Sequence, residues 1–205
     1  MDELSTPFSA PGQSLGSGLV RIIGIDPGLQ TTGYGVVEDG PQGIRVLEAG
    51  VLRPEKGEKD LGERLFSLAK GLRSILKDFQ PTEGAMEQLY AHYQHPRTAI
   101  LMGHARGVFT LELHQGGCRL TSYLPTNIKK TVTNHGRASK EQMQISMMRE
   151  LGLSRLPEPA DVADALAVAL CHVFHLRRRN ADLQTNATYI KMPGKSSGRE
   201  VEKDS

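Results

Sequence analysis

The alternation of apolar and polar positions changes period several times along the chain, and each change predicts an element. Residues 19–26, LVRIIGID, form a near-continuous apolar run of the kind that fills a sheet interior. TTGYGVVE (31–38) and IRVLEAGVLR (44–53) predict two further strands, and the short turns at 27–30 and 39–43 predict an antiparallel meander. Leu61, Leu65, Leu68, Leu72, Ile75, Leu76 and Phe79 then recur at helical spacing, with Pro81 just beyond the last of them. EGAMEQLY (83–90) predicts a short strand, residues 96–114 a helix and CRLTSYL (118–124) a fifth strand. Helices are expected over about 126–133, 139–151 and 159–176. The order β-β-β-α-β-α-β-α-α-α predicts an α/β protein, a five-stranded mixed sheet flanked by helices. Residues 1–18 are rich in Ser, Gly and Pro, and residues 177–205 are polar and charged; both read as disordered extensions around a domain at 19–176.

Composition narrows the class only a little. The 205 residues suit one domain, and 38% hydrophobic content is enough for a real core. A net charge of +2 gives no global pull on nucleic acid, so any such surface must come from local clustering. The two cysteines, Cys118 and Cys171, are far apart, lack metal-ligand spacing and point to a reducing compartment. No apolar run approaches the roughly 18 residues of a membrane span, and the N-terminus lacks the basic-then-apolar order of a signal peptide. The expectation is a cytoplasmic protein without membrane association.

Four carboxylates stand where apolar residues belong. Asp26 ends the first strand, immediately before Pro27 and Gly28. Glu87 lies in GAMEQL, a strand otherwise made of small and apolar residues. Asp161 and Asp164 open the last helix, which is apolar nearly all round, and their i, i+3 spacing puts them on one face. A helix N-terminus favours negative charge by only about 0.3–1 kcal/mol per group, too little to offset burial of two unpaired acids. Each residue has an ordinary explanation: a turn cap for Asp26, an exposed edge position for Glu87, helix-start acids for the pair. Together they form a set of hard oxygen donors suited to Mg²⁺ or Mn²⁺. Two such ions about 3.5–4 Å apart can promote phosphodiester hydrolysis.

The blocks GIDPGLQTTGYGVV, MEQLY, GHARGV, KKTVTNHGRASKEQM and ADVADALAVAL, in this order over roughly residues 20–175, resemble the signature blocks of the RuvC family of Holliday junction resolvases. The resemblance implies an RNase H-like fold and a homodimer. It also implies a metal-dependent endonuclease that resolves four-way DNA junctions by paired symmetric nicks, leaving 5′-phosphate and 3′-hydroxyl ends. The family's catalytic acids fall on Asp26, Glu87, Asp161 and Asp164, which would hold two Mg²⁺ ions per subunit, with Mn²⁺ an alternative. Its two lysines near the scissile strand fall on Lys129 and Lys140. An aromatic that stacks on or wedges junction DNA falls on Tyr90, for which a core or surface role is the competing explanation. The branch-migration proteins RuvA and RuvB are implied as partners.

The residues themselves place Lys129, Lys130, His135, Arg137 and Lys140 around a turn at Asn134-His135-Gly136, where they would meet phosphates or form a solvated surface. His92, Tyr93 and His95, in AHYQHP, depart from the family pattern and read as exposed loop residues that could alter contacts near the junction centre. Two other functions compete. An ATPase of the actin and sugar-kinase type shares the Asp-x-Gly hairpin but needs two copies of the fold, for which the chain has no room. A non-catalytic junction-binding protein would not need the four acids.

Overall fold

The computed structural model describes residues 18–55, 57, 60–89 and 96–191. Its five strands are β1 (Val20–Asp26), β2 (Thr32–Gly40), β3 (Gly43–Leu52), β4 (Glu83–Glu87) and β5 (Arg119–Tyr123), joined in one sheet of order β3-β2-β1-β4-β5. The first three pair antiparallel, as the short turns predict; β4 pairs parallel with both β1 and β5. This order decides where the chemistry lies. β1 and β4 are parallel neighbours in the sheet interior, so their C-terminal ends finish side by side, and those ends are Asp26 and Glu87. Glu87 is therefore not an edge-strand residue.

The helices are α1 (Leu61–Phe79), α2 (Pro96–Gln115), α3 (Pro125–Thr133), α4 (Lys140–Glu150) and α5 (Ala160–Lys191). α1 starts where the Asp60 side chain accepts from the amides of Gly62 and Glu63 at 2.8 and 3.3 Å, and stops at Gln80, which adopts a left-handed conformation just before Pro81. Leu68, Leu72 and Ile75 of α1 and Ala105, Phe109 and Leu113 of α2 pack with Ile23, Ile25, Val36 and Met86 in one core. Each fully buried side chain of this size contributes about 1.5–3 kcal/mol.

α5 packs on the sheet through glycines. A Cβ on Gly24 of β1 would lie 2.3 Å from the Ala165 carbonyl oxygen, and one on Gly33 of β2 would lie 2.0 Å from that of Asp161. The glycines let the helix backbone approach the strands directly, which holds Asp161 close to Gly33, the residue paired with Asp26.

The last helix departs from expectation. It continues to Lys191 instead of stopping near 176, so residues 177–191 are helical where a disordered tail was expected. Polar composition argues against a core there but does not end a helix, and no Pro or Gly occurs between Ala160 and Lys191. The chain divides into a unit of residues 1–173 and a second of 174–205, which carries the remainder of α5. Cys118 and Cys171 are buried and form no disulfide. No described helix is long and apolar enough to cross a membrane.

Candidate active site

The four acids expected from the sequence act on one another. Asp26 is pushed from an ordinary 3.8 up to about 7, first by burial and then by the charges of Glu87, Asp164 and Asp161, with Lys140 pulling it back. Burial also raises Glu87, Asp164 raises it further, and Lys129 opposes. Asp164 is raised by burial and by Asp161, against Lys140 and Lys129. One electrostatic cluster thus joins the ends of β1 and β4, the first turns of α5, and two lysines.

The local folding that delivers these groups is simple. The turn after Asp26 is closed by Thr32, whose hydroxyl accepts from the Gly28 amide at 3.1 Å and donates to the Gly28 carbonyl at 2.5 Å. Asp26 is therefore not needed as a cap. α3 ends at Asn134, in a left-handed conformation, and α4 begins with a capping box in which Ser139 and Gln142 exchange hydrogen bonds of 2.8 and 3.2 Å. Lys129 of α3 and Lys140, the first residue of α4, supply the cations that act on the acids. Lys130 and Arg137 are exposed on the same two-helix unit, and neither is among the charges shifting Asp26, Glu87 or Asp164. Tyr90 and the neighbouring His92, Tyr93 and His95 lie outside the described residues.

The donor set fits a hard divalent cation. No side-chain hydrogen bond contributes to the shifts of Asp26, Glu87 or Asp164, which come from burial and from neighbouring charges alone. Among the described residues no three His, Cys, Asp or Glu side chains are drawn together as a finished metal cage. Neighbouring acids oppose the ionisation of Asp26, Glu87 and Asp164, and Lys129 and Lys140 offset only part of the rise.

Two features of the site were not read from the sequence. Gly24 and Gly33 set the seat of α5; isolated glycines inside strand patterns were the available signal. Arg106 of α2, within the GHARGV block, donates from one guanidinium nitrogen to the Glu87 carbonyl and from the other to Ser122 Oγ at 2.6 Å. Only its place in a signature block singled it out.

A family model described as crossover junction endodeoxyribonuclease RuvC matches residues 22–172. The crossover junction endodeoxyribonuclease RuvC of Rhodopirellula baltica is 47% identical over 151 residues, covering 73% of this chain and 84% of the relative. That of Chloroflexus aggregans is 42% identical over 155 residues, covering 76% and 93%. Thermus thermophilus RuvC, solved in complex with a Holliday junction substrate, matches with a TM-score of 0.71 at 31% identity, over 78% of this chain and 96% of that one. With the element order, the four carboxylates and these matches in agreement, the chain belongs to the RuvC family of crossover junction endodeoxyribonucleases.

Proposed function

We propose that the chain resolves Holliday junctions by paired, symmetric, metal-dependent nicks, with Asp26, Glu87, Asp161 and Asp164 as the metal-binding acids. The observation that carries this reading is the carboxyl of Asp26, held at about 7 by burial and by the other three acids. Asp26, Glu87 and Asp164 are each raised by burial and by at least one neighbouring acid, a costly arrangement in a protein with no cation to hold. Bound between them, Mg²⁺ or Mn²⁺, as two ions per subunit, would supply the activation of water and the neutralisation of charge that in-line attack on a phosphodiester requires.

The chain's own residues do the rest. Binding a cation requires ionised acids, and Lys129 and Lys140 favour that state by lowering the proton affinity of Asp26, Glu87 and Asp164. The same lysines can contact the scissile phosphate and offset charge that grows in the transition state. Lys130 and Arg137, exposed beside them, suit the flanking phosphates. Tyr90 follows Glu87 by three positions and is proposed, from the family pattern, to stack at the junction.

Resolution needs two incisions on opposed strands, and one chain carries one set of acids. A two-fold homodimer supplies the second at a matching position. α2 offers a surface for it: Ile100 and Leu111 are 62% and 54% exposed, and a Cβ on Gly103 or Gly107 would touch nothing within 4 Å. Both glycines open outward, whereas Ala105 is the buried small residue of the helix. A DNA substrate and reduced cysteines fit the cytoplasm. RuvA and RuvB are proposed as partners from the family resemblance.

The test is cleavage of a synthetic four-way junction in Mg²⁺, followed by mixed dimers of wild type and Asp26→Asn on a plasmid carrying an extruded cruciform. Wild-type dimers should give linear product and mixed dimers nicked circles. Absence of junction cleavage would remove the activity, and efficient linear product from mixed dimers would remove the paired-site mechanism.

A further inference from the structure

The register of the sheet leaves one backbone group at the candidate site without its ladder partner. β1 and β4 run parallel with Ile25 opposite Met86. On its other side β4 pairs with β5, Glu87 standing opposite Tyr123, whose carbonyl accepts from the Gln88 amide at 2.7 Å. Peptide groups of successive strand residues turn to opposite neighbours. Gln88 donates toward β5, so the amide and carbonyl of Glu87 are turned toward β1. In this register the donor for the Glu87 carbonyl would be the residue two past Ile25. That residue is Pro27, which has no N–H.

Arg106 fills the gap from a third element. Its guanidinium donates to the Glu87 carbonyl on β4 and to Ser122 Oγ on β5, the latter at 2.6 Å. Among the described residues no carboxylate pairs with it. It is half-buried, and burial works against its charge. A half-buried cation held by a carbonyl and a hydroxyl is an expensive way to stabilise a helix surface. The planar fork of arginine reaches both acceptors at once, which a lysine ammonium cannot do with the same rigidity.

We propose that Arg106 is a positioning residue for Glu87, replacing the ladder bond that Pro27 cannot make and tying the end of β4 to β5 and α2. The carboxylate of Glu87 is then held at a fixed offset from Asp26 and Asp164, where a displacement of about 1 Å can slow a reaction by about 10²-fold. Pro27 of the first signature block and Arg106 of the third are two halves of one device. This inference rests on Glu87 being a metal-binding acid of the proposed junction-cleaving site.

The experiment compares Arg106→Ala, Arg106→Lys, Ser122→Ala and Glu87→Gln in the full chain. Single-turnover cleavage at saturating junction, junction Kd across a salt series, and melting temperature with and without Mg²⁺ are measured. Arg106→Ala should cut about 100-fold more slowly, with junction Kd and its salt slope within about twofold of wild type. It should also lose most of the rise in melting temperature that Mg²⁺ gives the wild type. Arg106→Lys, which can still donate to the carbonyl, should recover part of the rate, and Ser122→Ala should lose little. If Arg106→Ala melts before assay, Arg106→Lys carries the test, and wild-type cleavage by it would overturn the positioning role. A weaker Kd with a reduced salt slope and a normal rate on bound junction would make Arg106 a phosphate contact instead and overturn the proposal. If Glu87→Gln cuts normally, the assignment of Glu87 fails; if Glu87→Gln is inert while Arg106→Ala cuts like wild type, only the role of Arg106 fails.

Discussion

Glu83 and Glu87 begin and end the same short strand, and they meet opposite surroundings. At the Glu83 end, one carboxylate oxygen takes a hydrogen bond from Arg119 and the other lies 3.4 Å from His172 Nε2. The Nδ1 of His172 lies 2.6 Å from the Tyr123 hydroxyl. Burial pushes Glu83 up, but the His172 hydrogen bond and Arg119 outweigh it and hold the carboxyl below its usual range. At the Glu87 end burial and Asp164 both push upward, and only Lys129 opposes them. The side chain and the strand are the same. The difference is whether the protein supplies donors: at Glu83 they outweigh burial and favour the carboxylate, whereas at Glu87 burial and a second acid prevail, the surroundings that the proposed metal-binding role requires.

The largest expected break in that comparison is Glu87→Gln. It keeps shape and removes the ligand charge, so junction cleavage should fall by about 10³-fold or more, equivalent to about 4 kcal/mol of barrier. Junction binding in a gel-shift assay should persist. Normal cleavage would put Glu87 in the same category as Glu83.

Next in size is Gly33→Ala. The added methyl would lie 2.0 Å from the Asp161 carbonyl oxygen, so α5 must shift and carry Asp161 and Asp164 with it. A loss of about 10–100-fold in cleavage is expected, with a melting temperature several degrees lower. Retention of both would show that the seat of α5 does not set the site.

Glu83→Ala should do the reverse of Glu87→Gln. Removing an acid with a buried histidine partner should lower stability by roughly 2–4 kcal/mol in urea unfolding. The protein that remains folded should cut at the wild-type rate. A selective loss of rate would show that the framework end of β4 also serves the chemistry.

The smallest effect is on pH dependence. Asp26 has a folded value of about 7 against an ordinary 3.8. Between those values the folded state binds more protons than the unfolded one, so stability without metal should fall as pH rises from about 4 to about 7 and stay low above that. Asp26→Asn should be more stable than wild type near pH 8 by about 1–2 kcal/mol, with the two converging near pH 4. The full shift sets a ceiling of about 4 kcal/mol, and water at the site reduces it. Added Mg²⁺ should reverse the order at pH 8, because only the wild type keeps the full ligand set. Equal melting curves for the two proteins at both pH values would show that Asp26 feels no such field.

Much of this was legible along the chain, because hydrophobic period is a local property. The run to Asp26, the helical leucines from Leu61 to Phe79 and the apolar helix behind Asp161 each declared their element and their odd carboxylate within one short window. The end of α5 is not legible in this way, because loss of apolar residues after 176 signals the loss of a core, whereas a helix ends only where Gly or Pro or a cap stops it. The roles of Glu83 and Glu87 could not be separated by pattern, since both are glutamates in one buried strand.

The sequence by itself determined the elements apart from the end of α5, their order, and the positions of four acids where core residues would be expected. Only the tertiary structure decided that β1 and β4 lie side by side and parallel, that Gly33 lets Asp161 approach the end of β1, that His172 reaches Glu83, and that Arg106 stands in for the donor missing at Pro27. The reason is physical. Periodicity and propensity act over a few neighbouring residues, whereas a ladder partner, a Cβ-sized gap or a hydrogen bond between a helix and a strand exists only once segments far apart in sequence have chosen their register.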